Sequence, residues 1–259
     1  MLTLIKAIIL GIIQGITEWL PVSSSGHLVI FQRMLGLSVP VFFDILLHIG
    51  TLIAVVAVFH KDIMDMIKAV FTFRFQTVPG KLAIFIIIGS IPTAIIGFAF
   101  HDLFSSFFNS LLVVGIALIV TGIFLSVCER KEGKRSLDTK NAFLIGIAQG
   151  VAIIPGISRS GSTIGTALLL GIKKETAARY SFLLAIPAII GAGIFEGKEI
   201  IFSSMDWLPV IAGVLTSAII GYLCIKLLLR LIAKRKFHLF SIYCILVGVI
   251  SIILHYAGF

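Results

Sequence analysis

Six apolar runs of membrane-spanning length, each closed off by charge, leave this chain few ways to fold. They cover residues 43–60, 82–100, 110–128, 180–197, 208–229 and 238–257. A helix needs about 20 apolar residues to cross a hydrocarbon core of about 30 Å. The charge sits in the intervals, from His60 to Lys81, Glu129 to Lys140, Lys173 to Arg179 and Arg230 to Lys236. A soluble domain has about a quarter of its residues charged. Here 13% are charged and 59% are hydrophobic, so lipid must cover much of the exterior. The expected fold class is an all-α polytopic membrane protein, one membrane domain over residues 1–259. The net charge of +9 does not point to nucleic acid, because no basic patch is interleaved with exposed aromatics. Cys128, Cys224 and Cys244 are scattered, without CxxC or metal-ligand spacing. The first apolar run carries Lys6, Gln14 and Glu18 and reads as part of the fold rather than as a cleaved leader.

Basic residues give the orientation. Six crossings put 61–81, 129–140, 173–179 and 230–236 on one side, with 16 Lys and Arg; the other side has Lys6, Arg33 and Lys198, so 3. Cytoplasmic loops carry the excess of Lys and Arg. The basic side is therefore expected in the cytoplasm and both termini outside.

Two further apolar stretches are too short to cross. Residues 141–154 stop at Pro155-Gly156, and 14 helical residues reach only about 21 Å. The stretch 3–36 is interrupted in the same way by Pro21-Val22-Ser23-Ser24-Ser25-Gly26. Both read as re-entrant helix–loop–helix hairpins, which are tolerated where protein or a water-filled cavity surrounds the loop. They are also copies of each other. Residues 7–30 and 142–165 match at a constant offset of 135, with eight of 24 positions identical, and FDILL (43–47) is echoed by YSFLL (180–184). Each half, 1–128 and 141–259 about a linker at 129–140, is thus one hairpin and three spans. Three is odd, so the halves start on opposite sides and the internal repeat is inverted, a layout found in many transporters.

The polar residues concentrate in the two loops. The first offers Gln14, Thr17, Glu18, Ser23, Ser24, Ser25 and His27. Gln14 and Glu18 are four apart and share a helix face. A carboxylate at membrane depth costs at least ~2.5 kcal/mol, so Glu18 is expected to have a use. His27 beside three hydroxyls and an acid supplies the types needed for a base or nucleophile. The second loop, PGISRSGST (155–163), has Arg159, whose planar fork of donors suits phosphate. Hydroxyls of Ser158, Ser160 and Thr163 surround it, and a helix opening at Ser162 would turn its N–H groups toward an anion. Where the first loop has Glu18, Ser24 and His27, the repeat has Ile153, Arg159 and Ser162: acid and base in one loop, anion clamp in the other. Asp44 and His48 lie four apart at the start of the first span and read equally as partners of this site or as a helix-start acid and an interfacial histidine.

At GITEWLPVSSSGH (15–27), FFDILLHIGTLIAV (42–55), PGISRSGST (155–163) and SFLLAIPA (181–188) the chain resembles the undecaprenyl-pyrophosphate phosphatase family, also called bacitracin-resistance protein. The resemblance implies hydrolysis of a polyprenyl pyrophosphate to the monophosphate and inorganic phosphate, which recycles the lipid carrier of cell-wall precursors in the cell membrane. It also implies a divalent cation, Mg²⁺ or Ca²⁺, and a site opening to the outer face. By the same resemblance Glu18 is the essential acid, Ser24 the loop serine, His27 the loop histidine and Arg159 the phosphate-binding arginine. Ser23, Ser25, Ser158, Ser160, Ser162 and Thr163 complete the phosphate cradle. Family members often carry a glutamate four residues before the essential acid; here Gln14 stands there, a weaker oxygen ligand beside Glu18. On this reading His27 is general base or nucleophile, and the nucleophile is His27, Ser24 or water. The rival reading is a transporter or flippase for a phosphate-bearing lipid or an organic anion.

Overall fold

The computed structural model describes residues 2–37, 39, 41–128, 133–196, 206–233 and 238–258. Among them the helices are α1 (Leu4–Trp19), α2 (Ser24–Met34), α3 (Val41–Val58), α4 (His60–Phe71), α5 (Val78–Ala99), α6 (His101–Phe107), α7 (Leu111–Cys128), α8 (Thr139–Val151), α9 (Arg159–Leu169), α10 (Lys174–Glu196), α11 (Trp207–Ala233) and α12 (His238–Tyr256). There is no strand among these residues, only an isolated bridge between Arg135 and Ile172.

Five helices, α5, α7, α10, α11 and α12, are long and apolar enough to cross a membrane, and α3 with α4, bent by 79°, makes a sixth if the pair is one span. Their outer faces carry what lipid requires and water would punish. Ile87, Ile95 and Phe98 on α5, Ile219 on α11 and Ile253 on α12 are all more than half exposed. Each expected run falls on a helix of this set. Two helices have no counterpart among the expected runs. α4 is amphipathic, with Met66 and Ala69 buried beneath a charged face, so hydropathy shows only an interval of charge. α6 is a single short turn system before α7. Of the charge census, Arg130, Lys131, Lys198, Lys234, Arg235 and Lys236 lie outside the described residues, as do 129–132 of the linker.

The two interrupted stretches are helix–loop–helix hairpins, α1–α2 and α8–α9. Their second helices start alike. Ser23 caps α2 by accepting the Gly26 N–H at 3.3 Å, and Ser158 caps α9 by accepting the Gly161 N–H at 3.1 Å. A serine hydroxyl meets one of the donors that a first helical turn leaves unpaired. That cap starts α9 at Arg159 rather than at the expected Ser162. Each hairpin is also closed at its mouth. Lys6 Nζ donates to Leu35 O at 2.9 Å across α1–α2. Across α8–α9, Arg135 N–H donates to Gly171 O at 2.8 Å and Lys173 N–H to Arg135 O at 3.2 Å.

The first helix of each hairpin lies along a long helix, α1 on α11 and α8 on α5, and α7 pairs with α12. Glycine lets these backbones approach. A Cβ on Gly11 would meet Gly213 O at 2.5 Å, and one on Gly146 would overlap Gly89 O. The tip of the second hairpin rests on the middle of α7. Thr121 Oγ1 donates to Gly156 O at 3.0 Å and accepts the Ser158 N–H at 3.2 Å. The end of α2 reaches the start of α7, where Arg33 donates to Asn109 O at 2.9 Å. The largest buried cluster, including Trp19, Leu125, Ile145, Ile164 and Phe182, joins both hairpins to α10.

Candidate active site

The two loops meet tip to tip. The Gly156 N–H donates to Ser23 Oγ at 3.1 Å, and Ser160 Oγ donates to Leu20 O at 3.0 Å. Gly26 faces Gly156 so closely that a Cβ on Gly26 would lie 3.1 Å from Gly156 Cα. Ser23 takes a left-handed φ of 68° and Gly156 one of 98°. Such a conformation costs a serine about 1–3 kcal/mol. Ser23 is held in it by what its Oγ engages: the two N–H groups, and Ser25 Oγ at 3.3 Å.

Glu18, at the end of α1 and 6% exposed, gathers the polar groups. Ser24 Oγ donates to Glu18 Oε2 at 2.5 Å and Gln14 Nε2 donates to the same oxygen at 3.1 Å. Arg159, from the second loop, forms an ion pair with Glu18 Oε1 through Nη2. Its guanidinium carbon lies 5.2 Å from the centre of the Trp19 ring, a position that favours a cation over an aromatic face. Arg159 Nη1 is buried and has no partner among the described residues. One prong of the fork thus orients the acid, and the other is free for an anion. Glu18, Gln14, Ser24 and Arg159 are therefore brought together, as the sequence predicts.

A histidine completes the cluster: His48, which the sequence leaves equally as a partner of this site or as an interfacial residue. His48 Nε2 lies 3.4 Å from Glu18 Oε2, and His48 Nδ1 lies 2.7 Å from Asp44 O. A carbonyl only accepts, so Nδ1 carries the proton and Nε2 is turned to the acid. Asp44 itself accepts from Gln32 Nε2 at 2.7 Å. His27 engages its two ring nitrogens elsewhere than at Glu18. Its Nδ1 is 2.8 Å from Ser23 O and its Nε2 is 2.8 Å from Tyr243 OH on α12, so both ring nitrogens are engaged in holding the loop. Tyr243 has no local signal in the sequence, since 216 residues separate it from His27.

The expected phosphate cradle divides in two. Ser158 caps α9, Ser160 binds Leu20 O, and Thr163 Oγ1 donates to Arg159 O at 2.8 Å while pairing with Ser181 Oγ at 2.5 Å. These hydroxyls are buried and used in building the loops. Ser24, Ser25 and Ser162 are half-buried. Ser24 already donates to Glu18, whereas the hydroxyl of Ser162 makes no hydrogen bond among the described residues.

The residues fit a divalent cation in part. Gln14 Oε1 is buried beside Glu18 and unpartnered, a hard oxygen next to a carboxylate. Among the described residues no group of three or more His, Cys, Asp or Glu stands ready to hold a metal. Ligand oxygens would have to complete such a site.

Known proteins resemble this sequence along nearly its whole length. The sequence profile of the bacitracin resistance protein BacA family matches residues 7–250. An undecaprenyl-diphosphatase of Halothermothrix orenii is 45% identical over 257 residues, 96% of this chain and 97% of its own length. One of Methanosphaera stadtmanae is 44% identical over 98% of this chain and 99% of its own length. One of Carboxydothermus hydrogenoformans is 42% identical over 98% of each. With its apolar helices, its paired loops and this extent of identity, the chain is a multi-pass membrane protein that belongs to the bacitracin resistance protein BacA family.

Proposed function

We propose that the protein hydrolyses a polyprenyl pyrophosphate, undecaprenyl pyrophosphate by similarity to its relatives, to the monophosphate and orthophosphate. One observation carries this reading: Glu18, Ser24 and Arg159, an acid, a hydroxyl and an anion clamp, converge from loops 141 residues apart in the chain. The free prong of Arg159, with Ser162 and the first turn of α9, binds the terminal phosphate. Ser24 Oγ, whose O–H donates to Glu18, attacks the terminal phosphorus. Glu18 accepts that proton as the bond to the bridging oxygen breaks, and gives it up to the departing polyprenyl monophosphate. Water then attacks the phosphoserine, with Glu18 taking its proton and returning it to Ser24 Oγ as orthophosphate leaves. His48 supports the charge on Glu18, and His27 holds Ser23 and its loop from behind. Glu18 and Gln14 Oε1, with substrate oxygens, are the groups that would hold Mg²⁺ or Ca²⁺, which when bound offsets the charge of the pyrophosphate.

The wider reading is six spans and two re-entrant hairpins in an inverted repeat of 1–128 and 141–259, with both termini outside, the basic side cytoplasmic and the site open to the outer face. The distribution of Lys and Arg supports the orientation, and internal contacts support the inverted hairpins. The first hairpin reaches the start of α7 through Arg33, whereas Gly165 of α9 packs on Cys128 at its end. The loops meet between, and α1 on α11 mirrors α8 on α5. The test is purified protein in liposomes carrying polyprenyl pyrophosphate, with and without chelator. Release of orthophosphate with accumulation of monophosphate is expected, falling when chelator is present. Movement of intact pyrophosphate across the bilayer without orthophosphate would instead make it a transporter.

A further inference from the structure

On the face proposed to be cytoplasmic, the first turns of α5 and α10 border a groove that shares no lining residue with the Glu18 cluster. It has a volume of about 370 Å³, within the range of small-molecule sites. Lys81, Lys173 and Arg179 line it, with hydroxyls of Ser136 and Thr176 and a single acid, Glu175. Its floor is apolar, with Leu82, Phe85, Leu137 and Tyr180.

Three features separate this groove from the general excess of basic residues on that face. The first is unused donors. The side chains of Lys81 and Lys173 have no hydrogen-bond or ion-pair partner among the described residues. Arg179 pairs with Asp62 through Nη2, yet its Nε is buried and unpartnered. The second is rigidity. The backbone bonds between Arg135 and both Gly171 and Lys173 hold the Ser136 and Lys173 walls in register. Tyr180 fixes the floor by donating to Phe85 O at 2.7 Å. The third is field: two helix N-termini, Val78 of α5 and Lys174 of α10, add partial positive charge to the cationic side chains.

We infer that this groove is a binding site for a phosphate-ester anion, with Lys81, Lys173 and Arg179 around the phosphate and the apolar floor beneath the carbon attached to it. The same chemistry is offered by the headgroup of an anionic phospholipid in the inner leaflet and by free phosphate in the cytosol. Two cations without partners above an apolar floor suit the lipid better, because the floor would otherwise face water. This inference is independent of the reaction assigned to the Glu18 cluster, since no residue of that cluster lines the groove.

Amine-reactive footprinting of the full-length protein tests it, read by mass spectrometry at each lysine. Three preparations are compared: phosphatidylcholine nanodiscs, the same with phosphatidylglycerol, and phosphatidylcholine nanodiscs with added inorganic phosphate. Lys68 and Lys140, exposed on the same face, report the general effect of surface charge. A site nine-tenths occupied leaves about a tenth of the labelling rate. The expected result is a loss of that order at Lys81 and Lys173 with phosphatidylglycerol, well beyond any change at Lys68 and Lys140. The same selective protection with inorganic phosphate would support the anion site and make free phosphate its ligand. If Lys81 and Lys173 track Lys68 and Lys140 in both preparations, the groove is not a phosphate site.

Discussion

Glu18 has two carboxylate oxygens and four neighbours competing for them: Gln14, Ser24 and His48 at one, Arg159 at the other. That crowding assigns different tasks to residues that look alike in the sequence. Arg159 works as a fork, one prong on the acid and one free, so a point charge cannot replace it. Arg159→Lys should lower phosphate release about 10- to 100-fold, the worth of one or two hydrogen bonds to a charged group at about 1.5–3 kcal/mol. Near-normal turnover by the lysine variant would remove the clamp assignment. The two histidines should separate in the same assay. Tyr243→Phe frees His27 Nε2 and should cost about 1 kcal/mol of stability, the net worth of a hydrogen bond, while turnover of folded protein stays within a few-fold. His48→Gln should do the opposite, leaving the melting temperature nearly unchanged and lowering kcat. A reversed pattern would return the histidine role to His27. Glu18, Ser24 and Arg159 are legible in the sequence because acid, hydroxyls and guanidinium stand out between apolar runs. His48 reads two ways there and Tyr243 gives no signal, since the contacts that define them form only when α3 and α12 pack around the loops.

At the scale of elements, the hairpins are readable from the 135-residue offset and from the proline and glycine that stop α1 and α8 short. Capping is not: Ser23 and Ser158, in equivalent places of the repeat, read as phosphate ligands and serve as helix caps, so α9 starts earlier than its apolar run suggests. Hydropathy hides amphipathic α4, whose buried face is only Met66 and Ala69, and it hides the use of Ser158, Ser160 and Thr163 as scaffolding. Loop closure depends on Gly156, where the backbone is left-handed and a Cβ would approach Val114 O to 2.5 Å. Gly156→Ala combines that overlap, about 1–3 kcal/mol, with the cost of a left-handed alanine, about 1–2 kcal/mol. It should lower melting temperature and phosphate release together. Gly36, with φ of 59° and nothing within 4 Å of where a Cβ would lie, is the control: Gly36→Ala has only the backbone cost and should retain activity. Equal behaviour of the two variants would contradict the tight seating of the second loop on α7.

For the molecule as a whole, the asymmetry of 16 basic residues against 3 predicts an orientation that surface chemistry can test. Cys128, Cys224 and Cys244 are all buried, so introduced cysteines can be labelled against a quiet background. Lys140→Cys should react with an impermeant thiol reagent only after the membrane is opened, and Ser105→Cys should react in intact cells. The reverse would invert the topology. The central claim is that one acid, shared between two loops, drives hydrolysis. The measurement closest to it is orthophosphate release from a polyprenyl pyrophosphate by Glu18→Gln and the parent protein, at equal amounts of monodisperse material. Proton transfer by a positioned side chain contributes about 10²- to 10⁴-fold, so release should fall by at least about 100-fold while the protein remains folded. Folded Glu18→Gln that releases phosphate at the parent rate would contradict the account.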